Sequence, residues 1–90
     1  MEYLIESGGE KILNFDMNKI FARFYNLRGT MSADEGKFKE ALDYFNKAIK
    51  LDPTFSIAFF NRGTIKADVG KFDEAKNDFK TAQLLDILPS

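Results

Sequence analysis

The chain has 90 residues, with 13 Lys plus Arg against 14 Asp plus Glu and a formal net charge of −1. That length fits one small domain burying somewhat over ~60% of its unfolded surface, and the near-neutral balance gives no electrostatic case for nucleic acid or an anionic membrane as main partner. Neither Cys nor His occurs, which excludes disulfides and thiolate metal sites and removes the commonest general base and metal ligand.

Residues 1–17 read as an arm or short helix, because two apolar pieces flank the breaker cluster Ser7-Gly8-Gly9. They carry no basic n-region, and no apolar run in the chain approaches the ~20 residues that span a bilayer. The default expectation is therefore a cytoplasmic protein.

A period near 3.6 then marks four helices. The first, about Asn18 to Glu35, carries Ile20, Phe21, Phe24, Tyr25, Leu27, Met31 and Ala33. Gly36 follows it as a left-handed stop. The second, Phe38 to Leu51, places Phe38, Ala41, Leu42, Phe45, Ala48 and Ile49 on one face. It stops before Asp52-Pro53, since Pro disfavours helix in the preceding residue. The third starts near Thr54 or Ser56, either of which is a candidate cap. It carries Ile57, Ala58, Phe59, Phe60, Ile65, Ala67 and Val69 and stops at Gly70. The fourth runs from Phe72 to about Leu85, with Asp73 and Glu74 at the positive end of its dipole. The short turns at Gly36 and Gly70 force antiparallel neighbours. No segment alternates at period 2 over a useful length.

Residues 28–52 recur 34 residues later, with 14 of 25 aligned pairs identical. A period in this range signals stacked supersecondary units. Tyr25, Gly29, Gly36, Phe38, Ala41, Phe45, Ala48 and Pro53 in the first copy carry a large–small–large pattern, and Phe59, Gly63, Gly70, Phe72, Ala75, Phe79 and Ala82 repeat it in the second. On these residues the chain resembles the tetratricopeptide repeat (TPR) family over residues 22 to 87. The resemblance implies an all-α fold, two antiparallel helix hairpins stacked as a short right-handed solenoid, with a first repeat over 18–53 and a second over 54–88. Small Gly29, Ala41, Gly63 and Ala75 let paired helices approach closely. Phe38 and Phe45, like Phe72 and Phe79, are expected to fill space between hairpins. Two features depart from the family pattern: Arg28 and Arg62 stand where Leu is usual, and Ile87 stands where Pro53 closes the first repeat.

The resemblance also implies function: a concave groove of first-helix side chains that holds a peptide or helix of another protein. The matching positions are Arg23, Asn26, Leu27, Thr30, Ala33 and Asp34 in the first copy, and Ile57, Phe60, Asn61, Thr64, Ala67 and Asp68 in the second. Phe60 is the candidate apolar anchor. Asn61 is the candidate grip on a main chain, since an amide both donates and accepts. The family's carboxylate clamp is not expected, because Asn26 and Thr30 occupy its Lys and first Asn positions and no cation would meet the carboxylate. Arg28 and Arg62 are expected to pair with a nearby carboxylate such as Asp34 or Glu40, a surface pair worth ~0–1 kcal/mol. Asp34-Glu35, Asp43 and Asp73-Glu74 read as solvated helix faces. No residue set suggests catalysis, a cofactor or a metal, so an enzyme is not expected.

Two repeats are fewer than the three that such stacks usually need. Phe72, Phe79, Leu84, Leu85, Ile87 and Leu88 are expected to leave an apolar end surface, and Ile20, Phe21 and Phe24 make the first helix unusually apolar. The competing reading is thus a structural module that associates through terminal helix faces, with self-association expected over a fold-back of the tail or a place in a longer array.

Overall fold

A computed structural model describes residues 16–88. The expected arm over 1–17 falls almost wholly outside them. The described chain is four helices in sequence: α1 (Met17–Asp34), α2 (Phe38–Leu51), α3 (Ser56–Asp68) and α4 (Phe72–Ile87). The main contacts join α1 to α2, α3 to α4 and α2 to α3. Two hairpins are therefore laid side by side.

Helix ends follow local chemistry. Asp16 caps α1, its carboxylate accepting from the Asn18 N–H at 2.9 Å. Gly36 and Gly70 close α1 and α3 at φ 77° and 87°. At each, two amides fold back onto the last turn: Gly36 and Lys37 donate to the carbonyls of Ala33 and Ser32, and Gly70 and Lys71 to those of Ala67 and Lys66. α2 ends where Asp52 leaves the helical region ahead of Pro53 (φ −139°, ψ 88°). The expected cap of α3 is corrected. Phe55 holds the capping position without a side-chain bond. Thr54 instead donates its hydroxyl and amide to Asp52 at 2.7 and 3.1 Å.

The core lies at the junction of the hairpins. One cluster joins Ala22, Ala48, Phe55 and Ala58, with Tyr25, Ile49 and Leu51 against it. The second joins Ala41, Phe45 and Ile65, with Ala33, Phe38 and Leu42 around them. Gly29 and Gly63 are where each pair of helices touches. A Cβ at Gly29 would lie 2.5 Å from the Phe45 ring, and one at Gly63 would lie 2.9 Å from the Phe79 ring. Phe38 and Phe45 fill the inter-hairpin space as expected. Their counterparts do not, because no further hairpin covers them among the described residues: Phe72 is exposed and Phe79 half-buried.

Candidate protein-binding surface

The helix-A positions singled out from the sequence lie on α1 and α3, which run beside each other. Asn26 and Asn61 meet: the Asn61 amide nitrogen donates to the Asn26 carbonyl oxygen at 3.0 Å. That bond leaves the carbonyl of Asn61 and the amide N–H groups of Asn26 with capacity to spare. Leu27 stands exposed beside the pair. Thr30 and Thr64 each donate to a carbonyl of their own helix, Leu27 at 2.7 Å and Phe60 at 3.0 Å. Their oxygens keep acceptor capacity. Ala33 and Ala67 are half-buried, and Asp34 and Asp68 end α1 and α3 as exposed acids.

Arg23 is engaged elsewhere. Its guanidinium donates to the Lys19 carbonyl at 2.8 Å, reaches Asp52 at 3.5 Å and lies over the Phe55 ring at 4.4 Å. It covers the junction between hairpins. Ile57 and Phe60 sit together in an open cleft of about 370 Å³ between α3 and α4, with Ser56, Phe79, Ala82 and Asp86 around them. Phe60 packs obliquely on Phe79, ring centroids 5.4 Å apart.

Of the two repeated arginines, Arg62 pairs with a carboxylate as expected, Asp78 rather than Asp34 or Glu40, while Arg28 pairs with a phenol instead of a carboxylate, a correction to the sequence expectation. Arg62 makes a two-pronged pair with Asp78 at 2.9 and 2.7 Å and donates to Asn46 at 2.9 Å. Lys66 adds a contact to Asp78 at 3.3 Å and one to Glu74 at 3.3 Å. Arg28 instead lies over the Tyr44 ring and donates to its hydroxyl at 3.3 Å. Glu40 accepts from Ser32 at 2.6 Å. The reason is positional. Tyr44 and Asp78 are equivalent residues of the two copies, as are Ser32 and Lys66, and Glu40 and Glu74. Each hairpin is pinned at the same places with different chemistry. The copies' identical residues drew attention to the arginines, and only the differing ones carry their partners.

Asp52 is the other buried acid missed from sequence. Burial pushes its carboxyl up. The hydroxyl and backbone bonds from Thr54, the Lys19 charge and the Arg23 bond together outweigh that and hold it below the ordinary carboxylate value. Among the described residues no group of His, Cys, Asp or Glu could hold a metal ion. No described helix is long and apolar enough to cross a membrane.

These features, stacked helix pairs with glycine contacts and left-handed glycine stops, agree with the comparisons to known proteins. Two tetratricopeptide repeat family models match residues 22–55 and 44–77, together more than half of the chain. The chain belongs to the tetratricopeptide repeat family, whose repeats are in general protein–protein interaction modules. The second match begins in α2 and ends in α4, across the hairpin junction where the core lies. A curated protein of Methanocaldococcus jannaschii, itself named an uncharacterized protein, is 41% identical over 46 residues, 51% of this chain. The match spans about half of that relative's length, 54%.

Proposed function

We propose that this module holds a segment of another protein along the surface formed by α1 and α3, gripping its main chain through the Asn26–Asn61 amide pair. The observation that carries this reading is the bond between the two amides at 3.0 Å. It fixes one free acceptor and a set of free donors at the seam, the complement of the C=O and N–H groups of an extended peptide. Pre-orientation matters because ordering a rotamer-rich side chain on binding costs about 0.5–1.5 kcal/mol, which an already paired amide largely avoids. Leu27 offers an apolar contact beside the pair, and the Thr30 and Thr64 oxygens offer further acceptors. Asp34 and Asp68 at the helix ends favour a partner with a basic residue in reach.

The test is a peptide selection followed by titration. An immobilised random-peptide library is screened with the wild-type chain, and the best binder is titrated calorimetrically. The double variant Asn26→Ala/Asn61→Ala should weaken it at least about tenfold, roughly 1.4 kcal/mol. Methylating the peptide's backbone nitrogens should weaken it comparably. Unchanged affinity in the double variant sinks the proposal.

A further inference from the structure

The 34-residue repeat relates the two ends of the molecule as well as its two hairpins. Within the chain, the second hairpin docks on the first through α3 and the residue before it. Phe55 and Ala58 pack on Ala22 and Ala48, Asn61 reaches Asn26, and Ile65 packs with Ala41 and Phe45. Shifted back by one repeat, these docking positions become Phe21, Phe24, Leu27 and Met31 of α1. All four are out in solvent, at 45%, 59%, 54% and 50% exposure. Shifted forward, the receiving residues Ala22, Arg23, Asn26, Phe45, Ala48 and Asp52 become Ser56, Ile57, Phe60, Phe79, Ala82 and Asp86. All of these line the open cleft, whereas the remaining receiving residue, Ala41, becomes Ala75, which is buried and does not line it.

The two surfaces also differ from the internal interface together. The amide pair Asn61–Asn26 is replaced by Leu27 on α1 and Phe60 in the cleft, apolar on both sides. Arg23, which covers Phe55 inside the chain, is replaced by Ile57, an apolar neighbour for the equivalent Phe21. The fully buried Ala58 is replaced by the larger Phe24, and the cleft of about 370 Å³ beside the Phe60 and Phe79 rings offers room for another ring. Asn46, which accepts from Arg62, is replaced by Lys80. The equivalent Arg28, held in its own hairpin by Tyr44, then faces Lys80, a like-charge contact that opposes the stack and is screened as salt rises.

We propose that α1 of one copy seats in the α3–α4 cleft of a second copy, continuing across molecules the register in which α3 sits on the first hairpin. The contact joins unlike surfaces, so it does not close on itself in a pair, and each added copy exposes a fresh α1 face and a fresh cleft. The assembled species is a linear stack.

Sedimentation velocity and light scattering of the wild-type chain over a range of concentrations should show mass growing past the dimer. Two variants each remove one partner surface at an exposed residue: Phe24→Asp on α1 and Phe60→Asp in the cleft. Each alone should be monomeric, with helical circular dichroism unchanged. Mixed in equal amounts they should form a heterodimer and nothing larger, because one α1 face and one intact cleft remain. A wild-type chain that stays monomeric overturns the proposal and assigns the cleft to another occupant. A wild type that stops at a dimer, abolished by Phe24→Asp but untouched by Phe60→Asp, overturns it in favour of paired α1 faces. Absence of the heterodimer from two folded variants overturns it as well.

Discussion

At the scale of single residues, glycines and one aspartate separate two kinds of constraint. Gly29 and Gly36 sit seven residues apart and need glycine for different reasons. At Gly29 a methyl group would strike the Phe45 ring at 2.5 Å, so Gly29→Ala should cost about 1–3 kcal/mol through overpacking. At Gly36 nothing lies near, but φ is 77°, so Gly36→Ala should cost about 1 kcal/mol through backbone strain alone. Combining each with Phe45→Leu distinguishes them in urea unfolding. The smaller side chain should recover part of the loss at Gly29 and none at Gly36. Asp52 makes the third case. Its carboxyl titrates below the ordinary value in the folded chain, so the unfolded chain binds more protons between the two values. The resulting stabilisation is fully present above the unfolded value and is lost as pH falls through the folded one. Asp52→Asn should therefore cost about 1 kcal/mol at neutral pH. The gap from wild type should close in acid below the usual carboxylate range. A gap that persists unchanged to the lowest pH would contradict this.

At the scale of helices, equivalent positions carry unequal loads. Arg62 is mostly buried and grips Asp78 with two bonds, while Arg28 is exposed and makes one long bond to a phenol. Two guanidinium bonds to a carboxylate outweigh a single longer guanidinium bond to a neutral phenol. Arg62→Ala should cost about 2 kcal/mol, since it removes both guanidinium bonds and leaves the buried Asp78 only its Lys66 contact, and Arg28→Ala less than about 1 kcal/mol. Equal losses in chemical denaturation, or the reverse order, would rule out this assignment. The helices themselves were legible because their apolar spacing and glycine stops are local properties. What periodicity did not reveal was which apolar residues go inside. α1 buries Ala22, Gly29 and Ser32 and leaves Phe21, Phe24, Leu27 and Met31 out. Close helix contact selects small side chains, and a hydropathy pattern weighs a large exposed ring more than a small buried one.

At the scale of the whole molecule, the proposed amide grip and the two ends share Leu27 but make separable predictions. Loss of the Asn26–Asn61 grip should not alter assembly, and loss of Phe24 on α1 should not remove the amide pair. If end faces join, the thermal midpoint of the wild-type chain should rise with protein concentration by mass action. That of Phe24→Asp should stay flat. A wild-type midpoint independent of concentration would argue against any self-association.

The sequence by itself determined the four helices, their stops and the stacking of two hairpins, because helix periodicity, glycine conformation and a 34-residue echo are written residue by residue. It also pointed to Asn26 and Asn61 as polar candidates of the helix-A surface. Only the tertiary structure decided that these two amides bond to each other, that Arg23 lies over Phe55, and that Ile57 and Phe60 share a cleft with Phe79. It alone showed Asp52 and Asp78 as buried acids. Each of these depends on a distance between segments that meet only in the folded chain, within one hairpin for the cleft and Asp78 and across both for Asn26–Asn61 and Arg23–Phe55, and such a distance follows from how small residues let the backbones approach, which no local pattern records.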